Sequence, residues 1–210
     1  MNPLQIYSKF GTPENLQKHM LRVAALASLI LDNWGGKPVD NKAIIVTCLL
    51  HDIAKPISFD MSKQSKFVHS NEELLKLQKH HDDLIIKYGT DEHGALMKIV
   101  QEIGLNNNTQ RLISNLLWHY SDRLIDANDI ESLIPIYADM RISPKSVLTL
   151  NDRILELHAR SPLANMEEML QSAQKLEDIL SGNTSLDLIS ITNEQVENRI
   201  ENLIKESHLF

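Results

Sequence analysis

One cysteine, Cys48, occurs in 210 residues. A disulfide framework and a thiolate zinc site each need several, so neither can be built, and Cys48 inside an apolar run reads as a small buried hydrophobe. No cluster of lysine and arginine appears, and 28 acidic against 21 basic residues leave a formal charge of -7. Phosphate backbones are held by clustered cations, so general nucleic-acid binding is not expected. A small anionic ligand stays admissible, because a bound cation can override net charge locally. No apolar run approaches a membrane span, and MNPLQIYSKF lacks a basic stretch followed by an apolar core. The expected setting is therefore the reducing cytoplasm, away from membranes. Glycine-rich phosphate loops, β-alternation and internal repeats are missing too.

What is present is helical periodicity. Thr12-Pro13-Glu14 reads as a helix start, and Leu16, Met20, Val23, Ala27 and Ile30 follow on one face until Trp34-Gly35-Gly36. Asp40 is expected to cap a second helix, apolar nearly all round from Ala43 to Leu50 and so the central, fully buried one, with Pro56 ending it. Residues 57 to 70 read as a loop. Ser70-Asn71-Glu72-Glu73 opens a helix to Tyr88-Gly89, and Thr90 another to Gly104. Further helices are expected over 110–120, over 130–142 with Pro135 as a kink or start, and over 151–159, 163–180 and 193–207. The fold class is all-α. Residues 1–160 form the core domain, and 161–210 a helical extension packed on the core or serving a homodimer interface.

The stretch AIIVTCLLHDIAKP ends a buried helix with His51 and Asp52, and puts Lys55 one turn further on. A buried imidazole and carboxylate are costly unless something cationic compensates both. His19 shares a face with Leu16, Val23, Leu26 and Ile30; His93 with Leu96, Met97 and Val100; His119 with Leu112 and Leu116. Asp139 lies between Ile136 and Ile142. Each alone is more often a satisfied core residue than a ligand. Together they are economically compensated by one metal cluster. Without thiolates the donor set suits iron, manganese, cobalt, nickel or zinc, with magnesium admissible. Six donors exceed what one ion can use while holding water, so two ions bridged by Asp52 compete with a mononuclear site.

His19, His51-Asp52 and Asp139 resemble the H…HD…D signature of the HD-domain superfamily of metal-dependent phosphohydrolases. HDIAKP resembles its most recognisable motif, and DEHGALMKIVQEIGL, LLWHYSD and YADMRIS are similar to its later segments. The resemblance spans about residues 14 to 155. It implies an HD-type helical bundle that hydrolyses a phosphate ester or anhydride of a small metabolite, a nucleotide by preference. His19, His51, Asp52 and Asp139 would hold one divalent metal, and His93 and His119, with Asp52 bridging, a second. Asp52 and Lys55 would be catalytic, with Arg22, Lys55 and Arg141 contacting phosphate. The branch that cleaves cyclic dinucleotides is disfavoured, because Trp118-His119 replaces its paired histidines and Asn15 a glutamate one turn before His19. His69, in SKFVHSNEE, is a rival to His93. A nucleotide-sensing module without hydrolysis and a metal-free helical interaction protein are the alternatives.

Overall fold

The computed structural model describes residues 2–66, 68 and 70–205. Over these residues there are eleven α-helices: α1 Pro3–Lys9, α2 Glu14–Asp32, α3 Asn41–Leu50, α4 Asn71–Tyr88, α5 Glu92–Ile103, α6 Asn107–Asn115, α7 Ser121–Asp126, α8 Ile130–Arg141, α9 Leu150–Arg160, α10 Met166–Ser181 and α11 Asn193–Lys205. Short 3-10 turns cover Lys55–Ser58, Met61–Lys66 and Trp118–Tyr120. The described residues contain no strand, only isolated bridges at Trp34–Thr184 and Ile142–Val147.

α3 is the axis of the bundle because its sequence leaves no polar face. Asp40 accepts from the Ala43 amide at its start, and every residue from Ala43 to Leu50 is buried. α2, α6 and α8 pack around it, and at its C-terminal end the Tyr7 hydroxyl donates to Leu49 O at 2.8 Å. Cys48 is fully buried with its thiol pKa pushed up by that burial, which makes it the inert core residue expected of it.

Several local expectations shift by a residue or a turn. α2 is entered from Pro13 without a side-chain cap, and the Thr12 hydroxyl is buried without a partner. α5 is capped by Asp91, which accepts from Gly94 N, rather than by Thr90. α1 and α7 are short helices that periodicity over longer windows does not resolve. The helix expected over 110–120 stops at Asn115: Leu116 and Leu117 leave helical geometry before the turn at Trp118–Tyr120.

The C-terminal residues wrap the core. α11 lies along α2, burying Val196 and Leu203, and Arg199 donates to Ser28 Oγ at 2.8 Å and pairs with Asp32 at 2.8 Å. Arg141, at the end of α8, is completely buried. It donates to Leu148 O and the Tyr137 hydroxyl, and to Leu188 O at 2.6 Å, tying α8 to the segment between α10 and α11. No helix, over the described residues, is long and apolar enough to cross a membrane.

Candidate metal centre

Three helices deliver the centre. His19 comes from the middle of α2, His51 and Asp52 from the exit of α3, and Asp139 from the last turn of α8. His51 caps α3, where a cation is favoured by the helix dipole. Its Nδ1 lies 2.9 Å from Cys48 O, and since a carbonyl can only accept, Nδ1 carries the proton. In the neutral ring the Nε2 lone pair therefore faces the centre. Asp139 is a carboxylate near the negative end of α8 and needs cationic compensation for that reason as well.

The donors meet closely. His19 Nε2 is 3.0 Å from Asp139 Oδ1 and 3.3 Å from His51 Nε2, and His51 Nε2 is 3.3 Å from the same Asp139 oxygen. Asp52 Oδ2 stands 3.8 Å from both ring nitrogens. Among the described residues, His19, His51 and Asp139 form the group whose ligand atoms all lie within 4.8 Å of one another. Two imidazole nitrogens pointed at each other across a shared carboxylate oxygen suit a divalent ion, which would accept all of these lone pairs. Their chemistry fits a site of nitrogen and oxygen ligands.

The electrostatics follow from that crowding. Burial alone would lower the His51 pKa, but Asp52 and Asp139 outweigh it and raise it from 6.5 to about 9. Burial would push the Asp139 carboxyl up, yet His51 and His19 hold it well below the usual carboxylate range. Metal-free, the cluster therefore carries a proton on His51 at neutral pH. The stability this charge contributes is complete below pH 6.5 and is lost as pH rises through about 9. Metal affinity runs the other way, because an ion must displace that proton. Binding of Mn²⁺ followed by calorimetry is expected to tighten about tenfold per pH unit below the His51 pKa and then to level. An affinity independent of pH in that range would contradict the assignment.

Lys55 follows on the 3-10 turn, half-exposed, its Nζ 3.2 Å from Glu92 Oε1. Burial pulls its pKa down, while Asp52, Glu92 and Asp139 raise it, and the net shift is upward. Glu92 is the residue sequence reasoning passed over. Its only signal was its place in the first turn of α5, beside the more conspicuous His93.

His93 itself is exposed. The expectation that it faces inward fails because it sits in the first turn of α5, beyond the buried Ala95, Leu96, Ile99 and Val100. His119 is exposed as well. The break after Asn115 rotates it off the face of Leu112, and its ring packs against Tyr120 instead, with centroids 4.2 Å apart. Neither joins the donor group, and His69 lies outside the described residues.

The two arginines also differ from expectation. Arg141 is a buried clamp, not a phosphate contact. Arg22 does line the cavity, but its guanidinium braces the wall: it donates to Ser143 O at 3.1 Å and Asn193 Oδ1 at 2.6 Å, and Nε approaches Glu197 Oε1 at 3.0 Å.

The centre opens into a cavity of about 920 Å³. His19, Asp52 and Lys55 line it, and α9 and α11 add Arg153, Arg160, Asn193 and Glu197. Six cations lie along its wall (Lys18, Arg22, Lys55, Lys145, Arg153, Arg160), and five of them are paired with carboxylates: Lys18 with Glu14, Arg22 with Glu197, Lys55 with Glu92, and Arg153 and Arg160 with Glu156.

Residues 16–157 match the family described as HD domain. No curated protein and no solved structure matches the chain.

Proposed function

The chain belongs to the HD-domain family, and from that premise we propose that it is a metal-dependent phosphohydrolase cleaving a phosphate ester or anhydride of a small metabolite, a nucleotide in the first instance. The observation that carries this reading is the convergence of His19, His51, Asp52 and Asp139 beside a cavity that His19, Asp52 and Lys55 line. When bound, a divalent ion supplies Lewis-acid polarisation of the phosphoryl group and a water of lowered pKa.

The chain's own residues supply the rest. His51 is oriented by Cys48 O, and Asp139 is held ionised by the two histidines. Lys55 keeps its proton, since its pKa is raised. It therefore acts by positive charge on phosphoryl oxygens rather than by giving a proton away. Glu92 positions the ammonium without neutralising it by transfer. The cations on the cavity wall add positive charge where further phosphate groups of the substrate would lie.

Lys55→Met is expected to lower kcat by about a hundredfold to a thousandfold, the usual loss for removing one transition-state donor, with metal content unchanged. Glu92→Gln should give a smaller loss, because the ammonium remains but is less well aimed. Equal kcat for Lys55→Met and wild type would exclude this role.

The reading as a whole is tested by incubating the protein with Mn²⁺, Fe²⁺ or Co²⁺ and a panel of nucleoside mono- and polyphosphates, measuring phosphate release. Metal-dependent release that chelation stops is expected. If a folded, metal-supplemented protein cleaves none of them, the proposal is wrong.

A further inference from the structure

Beside the metal-site cavity lies a second one of about 510 Å³, between the start of α2 and the inner side of α4. Asn15, Lys18, Phe59 and Gln64 line both, so the two are chambers on either side of a common wall. The second chamber is within the ordinary size of a small-molecule pocket.

Its lining is mixed, with the charged Glu14, Lys18, Glu73 and Lys76 alongside apolar side chains. Phe59, half-buried against the core, faces a lining that includes Leu77 and Val68. His80 is part of the same lining, and its Nε2 is buried without a hydrogen-bond partner. Burial lowers the His80 pKa, against a smaller opposing influence of Asp83, which keeps the ring neutral at pH 7. The imidazole fits only because residue 11 is glycine: a Cβ there would stand 2.7 Å from His80 Cε1 and Nδ1. Gly11 also has φ +58°, which glycine adopts without strain. An aliphatic chain would bury polar groups here without satisfying them, whereas a flat heteroaromatic ring offers apolar faces to Phe59 and Leu77 and polar edges to Asn15 and Gln64.

The spacing agrees. Asn15, on the shared wall, precedes His19 by one turn of α2, a rise of about 6 Å. A group anchored by phosphate at the metal centre and reaching the second chamber must span about that distance, roughly the reach of a pentose. We infer that this chamber receives the aromatic or heteroaromatic part of the phosphorylated substrate, with Phe59, Leu77 and His80 as its specificity determinants. The inference rests on the phosphohydrolase reading for its anchor, and it assigns selectivity to α4 and the loop before it.

The experiment compares adenosine 5′-monophosphate with ribose 5-phosphate, in which a hydroxyl stands where the nucleotide carries adenine, binding to the Mn²⁺-loaded full chain by calorimetry. Wild type should bind the nucleotide at least about tenfold more tightly, a modest fraction of what burying a ring can give. Leu77→Trp, which fills the chamber, should erase that advantage and leave ribose 5-phosphate affinity unchanged, and His80→Ala should reduce it. Leu75→Trp, at a position on α4 that is 70% exposed, should alter neither. Equal affinity of wild type for the two ligands, failure of both to bind, or an advantage that survives both chamber substitutions would overturn the inference. Phosphate release from the same samples separates the two readings. Leu77-dependent binding without release keeps the chamber and refutes the activity, and release at equal kcat/KM from both ligands does the reverse.

Discussion

Asp139→Ala is expected to lower kcat/KM by about a thousandfold, corresponding to several kcal/mol of lost transition-state stabilisation, and to strip the protein of tightly bound metal. Asp139 Oδ1 is the atom both histidines share, at 3.0 and 3.3 Å. Without it the two imidazole nitrogens face each other with no anion between them, and the charge on His51 loses one of the two carboxylates that sustain it. The deficit should persist at high Mn²⁺ concentration, because excess ion can refill the site but cannot restore the missing carboxylate ligand. His93→Ala, at an exposed position outside the donor group, should stay within about threefold of wild type, as most surface substitutions do. Initial rates at saturating metal for the two variants decide the point. An Asp139→Ala protein within tenfold of wild type, or an inactive His93→Ala, would require a different centre.

The second large effect is on stability. Arg141→Met keeps much of the volume of a fully buried side chain but leaves Leu148 O, Leu188 O and the Tyr137 hydroxyl short of a donor. Each orphaned acceptor costs about 1–3 kcal/mol, so a loss of about 3–5 kcal/mol and a Tm fall of about 10 °C are expected. The Tyr137 hydroxyl donates onward to Glu177 Oε1 at 3.0 Å, so the damage should extend to α10. Thermal unfolding followed by circular dichroism measures this. A phosphate contact would behave oppositely, with KM raised and Tm unmoved, so one variant separates the two roles for Arg141.

The contrast between Asp139 and Arg141, two residues apart, shows what sequence can convey. Asp139 was legible because a carboxylate on an apolar helical face is costly, and that cost implied a cationic partner. The same reasoning located His19, on a long and periodic α2, and the His51-Asp52 pair, at the end of an α3 apolar all round. Arg141 carries the same kind of conflict, but its partners are two main-chain carbonyls and a hydroxyl, and those leave no trace in residue identity. His93 and His119 were misplaced for a local reason. Both sit at helix ends, where the first turn of α5 overhangs the core and where α6 breaks after Asn115. Periodicity carries a face reliably through the middle of a helix and poorly across its termini.

The cavity wall was less legible still. Arg153, Arg160, Asn193 and Glu197 come from helices that lie more than a hundred residues from His19 in sequence. Their presence depends on how α9 and α11 return to α2, a question of tertiary packing on which the sequence's polar helical extension is silent. Arg22 anchors that return through Ser143 O, Asn193 and Glu197. The extension thus contributes side chains to the cavity as well as burying Val196 and Leu203.

His19, His51, Asp52 and Asp139 converge as the ligands of a divalent metal ion. Elemental analysis after equilibrium dialysis against Mn²⁺ addresses it directly. About one ion per chain is expected in the wild-type protein and close to none in Asp139→Ala under the same conditions. A wild-type protein that retains no metal, or an Asp139→Ala protein that retains as much as wild type, would contradict it.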